Sequence, residues 1–209
     1  MVDELPSYRR DELLLERCRR SGRAEIEIFR PAGTEVVLGR GSKVELELNV
    51  ETCREDGVKL RRRLGGGCAV VLDGGNLVLA VALPLPGVGG VRQVFDALTQ
   101  WAIDGLARAG IPGVEKAGSS DLALHGKKVG GSCVYRPKGF FLYSTTLLFI
   151  PPSETAERWL SHPPREPEYR EGRGHADFMG SLDKGGEVET WLRRLRESFT
   201  PDSLPISAD

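Results

Sequence analysis

The chain has 209 residues, of which 40% are hydrophobic and 28% charged, and its formal net charge is −1. This length suits one globular domain with a sizeable core. A charge so close to zero excludes a global field that would attract nucleic acid or an anionic membrane, so neither is an expected partner.

The first part of the chain predicts one helix followed by short strands. Leucines and charges recur at helical spacing over 11–20, with Asp11 as the predicted cap. Apolar and charged residues alternate over 24–31, which indicates a half-buried strand. The next predicted elements are a strand at 35–40, a short helix at 50–57, a strand at 58–63, and strands at 68–73 and 76–86 joined as a hairpin by Gly74–Gly75.

The second part predicts a long helix, more strands and a helical end. The apolar face of 91–111 predicts the helix, Gly110 ends it, and Trp101 is expected in the core. The remaining predicted elements are strands at 121–126, 127–136 and 139–150, a charged helical stretch from Ser153, a Pro-rich loop, and an amphipathic helix at 188–199. The order predicts an α+β fold with a sheet-rich centre.

Cysteine spacing and the first residues indicate a cytosolic protein. The four cysteines are widely spaced and no Cys-x-x-Cys pair occurs, so neither a zinc knuckle nor a disulfide framework is expected. The charged start lacks the apolar stretch of a signal peptide, and no apolar run approaches membrane-spanning length.

Three arginines run into three glycines at Arg61–Cys68, which we call the arginine–glycine segment. Without side chains in the way, the N–H groups of Gly65–Gly67 can converge on one anion, and the arginines add bidentate donors. The segment lacks the Gly-Lys-Ser/Thr ending of a phosphate loop, and predicted strands on both sides exclude a dinucleotide fingerprint. A phosphate or carboxylate site and a structural turn are both compatible with it.

The segment His125–Cys133 repeats this composition with Lys127–Lys128 beside small residues. A lysine ammonium can hold a carboxylate and a phosphate together and can stabilise charge that develops during acyl transfer. A solvated pair in a hairpin is the alternative interpretation.

In their order along the chain, these motifs resemble the lipoate-protein ligase A family, within the wider group of biotin and lipoate ligases and octanoyltransferases. The family pattern is an arginine pair, two variable residues, three glycines, an apolar strand, an aspartate and Gly-Asn, which corresponds to Arg61–Asn76. Residues 35–40 resemble the family's Val-Val-Ile-Gly-Arg strand. Residues 119–133 resemble its Asn-Asp-Leu and Gly-x-Lys segments, and 144–149 its His-Gly-Thr-Leu-Leu strand.

The resemblance implies a mixed, mainly antiparallel central sheet with flanking helices, in one catalytic domain over residues 1–209. It also implies a reaction in which ATP, with Mg²⁺, activates a medium-chain acid such as lipoic or octanoic acid to an acyl adenylate. The acyl group then passes to one lysine of a lipoyl domain of a 2-oxoacid dehydrogenase or of the glycine cleavage H protein.

The resemblance also assigns site residues. Lys128 matches the family's essential lysine, which would hold the carboxylate and the α-phosphate oxygens through both half-reactions. Asp121 matches the position near the nucleotide phosphates and is the predicted Mg²⁺ ligand. The residues expected to bind the acid or the adenylate are Arg62, Gly65, Gly66, Gly67, Cys68, Asp73, Asn76, Asp121, Gly131, Ser132 and Thr146.

The sequence departs from the family pattern around the expected pocket. The strand after the glycines has no histidine, Tyr143–Thr145 replaces His-His-Gly, and Gly130 replaces a serine. We expect no C-terminal accessory domain after Phe199, which leaves a separate accessory protein open as a partner. Residues 163–178 include arginines and His175 near the family's adenylate-covering loop, and a plain surface loop is the alternative.

The motifs favour the ligase over two of three other functions. An octanoyltransferase acting from acyl carrier protein needs a cysteine nucleophile, and the two stretches that carry it in transferases, 110–121 and 139–144 here, have none. We expect Cys68 and Cys133 to pack rather than react. A biotin ligase would need a Gly-Arg-Gly-Arg-x-Gly loop, which is missing. A non-catalytic relative that binds a lipoyl-type acid or a partner protein also remains open.

Overall fold

The computed structural model describes residues 5–87, 90–183 and 185–206, and it is built on a large and a small sheet. The large sheet is antiparallel throughout, and the small sheet is mixed. In spatial order the large sheet contains β1 (Glu25–Phe29), β5 (Asn76–Pro84), β9 (Phe140–Leu148), β8 (Lys127–Tyr135), β7 (Asp121–Leu124) and β6 (Glu115–Ala117). The small sheet contains β3 (Leu60–Arg62), β2 (Glu35–Leu38) and β4 (Val70–Leu72), with β2 parallel to β3 and antiparallel to β4.

Helices flank these sheets, and the predicted α+β class is confirmed. They are α1 (Arg9–Ser21), α2 (Val44–Glu47), α3 (Val50–Glu55), α4 (Val91–Arg108), α5 (Ser153–Trp159), α6 (His175–Phe178) and α7 (Val188–Ser198). Single 3-10 turns occupy Glu168–Arg170 and Pro201–Ser203. Within the described ranges, no helix combines the length and the apolarity needed to cross a lipid bilayer.

The two faces of the large sheet carry different layers. Alternate residues of β5 point to opposite faces, as in any strand. On one face, Leu77 and Leu79 pack in a single core cluster with α4 and α7. On the other face, Ala80 and Ala82 pack against α1, whereas Val78 packs against Val37 and other residues of the small sheet. The small sheet therefore covers part of one face and leaves space for a cleft beside it.

The predicted hairpin across Gly74–Gly75 is wrong, although both of its strands exist. β4 pairs with β2, whereas β5 pairs with β1 and β9. Asp73 closes the intervening turn, because its Oδ1 accepts hydrogen bonds from Gly75 N (2.8 Å) and Asn76 Nδ2 (2.7 Å). Since neighbours occupy both edges of β5, the chain must change sheets at this turn.

The helix predictions are confirmed except for the role of Asp11. The long helix spans Val91–Arg108, and Trp101 is buried in the core. Asp11 lies within the first turn of α1, where Tyr8 is the cap residue. Its Oδ2 instead accepts a hydrogen bond from Leu64 N (3.3 Å), so it joins α1 to the arginine–glycine segment. The sequence patterns predict neither β6 nor α2.

Candidate active site

A cleft of about 770 Å³ lies between the large and the small sheet. The arginine–glycine segment borders it on one side, and residues 163–179, which we call the cover segment, border it on another. Most of the expected site residues meet there. The expected residues that line the cleft are Gly66, Gly67, Cys68, Asp121, Lys128, Gly131, Ser132 and Thr146.

Lys128 is at the centre of the cleft's charged groups. Its Nζ lies 2.8 Å from Asp121 Oδ1, and the hydroxyl of Tyr169 donates a 2.9 Å hydrogen bond to Asp121 Oδ2. Burial, together with the neighbouring Asp121, raises the pKa of Tyr169, so this hydroxyl stays protonated and can donate. The Lys128 side chain is 32% exposed and that of Asp121 only 9%. The cleft thus presents an ammonium group whose position is fixed by Asp121, which Tyr169 holds in turn.

A missing side chain in β8 lets this lysine reach its partner. β7 shifts register after Leu122, and Asp121 lies opposite Gly131 on β8. A Cβ on Gly131 would lie 3.2 Å from Lys128 Cε and 3.3 Å from its Nζ. Glycine therefore leaves room for the Lys128 side chain to run along β8, past position 131, towards Asp121.

The arginine–glycine segment is shaped by Arg63. The Arg63 guanidinium donates hydrogen bonds to the carbonyl oxygens of Val37 (2.9 Å), Gly66 (2.6 Å) and Cys68 (2.9 Å). These bonds tie the glycine loop to β2 and fix it beside the cleft. Because backbone carbonyls accept from Arg63, its donors serve the loop itself and not a bound anion.

The structure gives Arg62 a different place from the one expected. Its Nη1 donates to the carbonyl oxygens of Gly39 (2.8 Å) and Ser42 (3.0 Å), and in the described structure it does not line the cleft. A Cβ on Gly39 would come within 1.9 Å of the Gly67 carbonyl oxygen, so only glycine lets these two loops touch. Arg62 therefore braces the contact between the loops, and its predicted ligand contact stays untested.

Three further expected residues also lie away from the cleft lining. Asp73 and Asn76 form the turn between the sheets, and Asn76 is fully buried, with its Oδ1 unpaired among the residues that the structure describes. Gly65 packs on β8, because an added Cβ would lie 2.6 Å from Cys133 Sγ. The motif that carries the family resemblance thus contains residues that shape the fold as well as residues that line the cleft.

Apolar side chains from both sheets form part of the cleft, which we call the apolar slot. They are Val37, Val70, Leu72, Val78 and Leu148. Such a slot suits a hydrocarbon chain, since each buried CH₂ contributes about 0.8 kcal/mol. Asp11 also lines the cleft, and burial raises the pKa of its carboxyl to about 6, although the hydrogen bond from Leu64 N opposes this shift.

The cover segment closes the cleft from the side of α5 and α6. Its far end is attached to β8 because Gly180 N donates a 2.8 Å hydrogen bond to the Lys128 carbonyl oxygen. Within it, Phe178 is 2% exposed and packs 5.1 Å from the ring of Tyr169 and 4.8 Å from the guanidinium of Arg170. The segment lines the cleft, which favours a ligand-covering role over that of a plain surface loop.

The cover segment contains a buried basic residue, Arg170, and a half-buried one, His175. Arg170 is 4% exposed, and its Nη2 has no hydrogen-bond partner in the described part of the chain. Burial lowers the pKa of Arg170. Burial, followed by the Arg170 charge, lowers the pKa of His175, whose Nδ1 lies 3.8 Å from Glu157 Oε2. The segment therefore holds positive charge that is incompletely compensated beside the cleft.

The residues around Asp121 do not fit a Mg²⁺ ion held by the protein alone. Both oxygens of Asp121 are engaged, by Lys128 and by Tyr169. Over the described ranges, no group of three or more His, Cys, Asp or Glu residues is placed to hold a metal. Mg²⁺ bound mainly by phosphates and water needs only one or two carboxylates, so the donor set is compatible only with a metal that a nucleotide carries.

The four cysteines, all within the described residues, are free. Cys68 lines the cleft as predicted from the motif. Burial and then Glu47 raise the pKa of its thiol, against the opposing charges of Lys128 and Arg63. A thiol with a raised pKa is a poor nucleophile at neutral pH, which disfavours acyl transfer through Cys68.

Sequence patterns did not single out three residues of this site, although the resemblance placed residues 163–178 near an adenylate-covering loop. Asp11 shares the buried face of α1 with Leu14 and Cys18, so a carboxylate at a core-facing helical position was a usable signal. Tyr169 and Arg170 lie on a single 3-10 turn within a Pro-rich stretch, where no periodicity distinguishes an inward from an outward side chain.

Comparisons with known proteins agree with this architecture. A lipoate–protein ligase of Streptococcus pyogenes is 32% identical over 126 residues, which is 60% of this chain and 36% of that protein. The chain spans between 34% and 53% of the length of five curated relatives that it matches.

Solved structures share the fold. A lipoate-protein ligase A bound with ATP superposes with a TM-score of 0.76 at 18% identity, over 98% of this chain and 86% of that one. A bipartite lipoate protein ligase of Thermoplasma acidophilum gives 0.74 at 19% identity, over 98% and 82%. The model of the lipoyl protein ligase A/B catalytic domain matches residues 5–200. The chain therefore belongs to the family of lipoyl protein ligase A/B catalytic domains.

Proposed function

We propose that the chain is the catalytic domain of an ATP-dependent ligase that joins lipoic or octanoic acid to a lysine of a lipoyl domain. The observation that carries this proposal is the position of Lys128, whose ammonium lies in the same cleft as the apolar slot. A site for a medium-chain acid needs both parts, a cation for the carboxylate and an apolar channel for the hydrocarbon.

In the first half-reaction, a carboxylate oxygen of the acid attacks the α-phosphorus of ATP. A new P–O bond forms, the bond to the β-phosphate oxygen breaks, and pyrophosphate leaves. Lys128 would donate hydrogen bonds to the carboxylate and to the α-phosphate oxygens as negative charge accumulates between them. The apolar slot would hold the acyl chain so that the carboxylate lies beside this lysine.

In the second half-reaction, the neutral ε-amine of the acceptor lysine attacks the acyl carbonyl carbon. The N–C bond forms, the C–O bond to the phosphate breaks, and AMP leaves with the bonding electrons while the amine loses one proton to solvent. Lys128 would stabilise the negative charge of the carbonyl oxygen and of the departing phosphate. One residue would thus act in both steps.

Similar proteins support the choice of substrates. One structure with this fold is described with ATP and another with lipoic acid, and the Thermoplasma ligase was studied together with its E2 lipoyl domain. We propose ATP, entering with Mg²⁺, as the activating substrate. The acceptor is the lipoyl domain of a 2-oxoacid dehydrogenase or the glycine cleavage H protein. The bipartite Thermoplasma system also makes a second polypeptide a reasonable partner.

Mass spectrometry of an acceptor tests this function. An unmodified lipoyl domain is incubated with the protein, ATP, Mg²⁺ and either lipoate or octanoate, with and without an accessory polypeptide. We expect the acceptor to gain the mass of one acyl group only when ATP is present. The lipoyl domain with its target lysine changed to arginine is the matched control and gains no mass.

Two further arms of the experiment separate the alternatives. Because Cys68 lies in the cleft, one arm supplies octanoyl-acyl carrier protein without ATP, and mass gain there would identify a transferase. Binding of the acid without mass gain in any arm would identify a non-catalytic relative. Either outcome would contradict the proposed ligase.

A further inference from the structure

The cations of the cleft are not equivalent. Lys128 is paired with Asp121, and Arg63 donates to three backbone carbonyl oxygens. Lys43 and Arg165 line the cleft but are exposed to solvent. Arg170 differs from all four, because it is 4% exposed and its Nη2 has no hydrogen-bond partner among the described residues.

The nearest carboxylate does not neutralise Arg170 by a direct hydrogen bond. Glu166 Oε2 lies 3.6 Å from Arg170 Nε, beyond a charge-assisted hydrogen bond, and the same oxygen lies 2.8 Å from His162 Nε2. A buried guanidinium with an unmade hydrogen bond costs free energy, since its desolvation is not repaid. An anion that enters the cleft and accepts from Arg170 would recover this cost.

The guanidinium is also held in place before any ligand binds. Arg170 Nε donates a 2.9 Å hydrogen bond to the Arg173 carbonyl oxygen, and Arg173 Nε donates in return to the Arg170 carbonyl oxygen (3.0 Å). Phe178 packs 4.8 Å from the Arg170 guanidinium. A cation fixed in this way loses little side-chain entropy when it binds an anion.

We propose that Arg170 binds a phosphate group of the nucleotide, an inference that rests on the proposed ligase function. Lys128 is already paired with Asp121, so a triphosphate needs a further positive group, and Arg170 supplies planar donors suited to phosphate oxygens. It lies on the cover segment, whereas the apolar slot is built from the two sheets. Arg170 therefore serves the nucleotide and not the acid.

Isothermal titration calorimetry tests this role with ATP and octanoate as separate probes. In Arg170→Met, which keeps much of the side-chain volume but removes the charge, we expect ATP affinity to fall about tenfold or more. Octanoate affinity should stay within about twofold of the wild type. Arg193→Met is the matched control, since it makes the same change at an exposed position of α7 that does not line the cleft, and it should bind ATP nearly as the wild type does.

The outcomes separate this inference from the proposed function. A wild-type protein that binds no ATP would overturn both. A wild type that binds ATP together with an Arg170→Met variant of equal ATP affinity would overturn only the role of Arg170, as would an equal loss of ATP and octanoate binding. If Arg170→Met does not fold, Arg170→Lys replaces it. That variant keeps the charge without the planar donors, and unchanged ATP affinity would again overturn the role.

Discussion

The arginine–glycine segment and the cover segment both bring guanidinium groups to one cleft, yet they use them in opposite ways. In the first, Arg62 and Arg63 donate to backbone carbonyl oxygens of neighbouring loops. In the second, Arg170 is more deeply buried, yet one of its nitrogens has no hydrogen-bond partner among the residues that the structure describes. An arginine beside glycines is therefore not by itself an anion site, because its hydrogen-bonding capacity can be used within the fold.

The largest predicted effect lies between the two segments, at Lys128. Lys128→Ala removes the ammonium that would contact both reacting groups, so we expect ligase activity to fall at least about 100-fold. Acyl transfer to a lipoyl domain, followed by mass spectrometry, measures the loss. Lys127→Ala is the control, because that neighbour is exposed. If Lys128→Ala kept wild-type transfer, the cleft would not be the reaction centre. The different uses of arginine in the arginine–glycine segment and the cover segment would then have no bearing on the reaction.

The second prediction tests whether Arg63 is structural. Arg63→Met removes donors to three carbonyl oxygens, and we expect the free energy of unfolding to fall by about 2–4 kcal/mol. Denaturation in urea measures this change. Arg61→Met should change it by only about 0.5 kcal/mol or less, since Arg61 makes one 3.6 Å ion pair with Glu35 at the surface. An equal loss in Arg170→Met would erase the contrast between the two segments.

Sequence reasoning identified the family and the cleft, but not how each motif residue is used. Strand alternation and the long apolar helix face predict the layers, because burial repeats with a fixed period. Lys128 and Asp121 could be placed by motif, since β7 and β8 are adjacent along the chain. The change of sheet at Asp73 could not, because a turn of this composition also closes hairpins. Tyr169 reaches Asp121 across 48 positions of sequence, a contact that no local pattern encodes.

The third prediction concerns Asp11, a buried carboxylate that accepts from the arginine–glycine segment. Burial raises its pKa from 3.8 to about 6, so between these values the folded state holds a proton that the unfolded state has lost. Protonation therefore stabilises the fold as pH falls through 6, and the charged form costs stability above it. We expect the free energy of unfolding of the wild type, relative to Asp11→Asn, to rise by about 2–3 kcal/mol from pH 7 to pH 4.

Urea denaturation of both proteins at several pH values gives this difference. Asparagine keeps an oxygen that can accept from Leu64 N but cannot titrate, so other groups cancel between the two curves. Parallel curves would mean that the arginine–glycine segment compensates the Asp11 charge fully. The charge of Asp11 would then be fully compensated within the fold, whereas that of Arg170 is not.

The smallest expected effect tests whether the cover segment acts on Lys128 as well as on the nucleotide. Tyr169→Phe keeps the ring against Phe178 but removes the hydroxyl that donates to Asp121, the partner of Lys128. A less fixed Asp121 should let Lys128 leave its productive position, so we expect kcat to fall about tenfold while KM for the acid stays within about twofold.

Steady-state kinetics with a lipoyl domain as acceptor separate the two constants. Tyr135→Phe removes a hydroxyl of β8 that lies beyond the cleft lining and should leave both constants unchanged. Should Tyr169→Phe raise only KM for ATP, the segment would act on the nucleotide alone, through Arg170. A fall in kcat would instead indicate that the cover segment also positions Lys128, the proposed catalytic lysine, through Tyr169 and Asp121, so that one segment would serve both the nucleotide and the lysine.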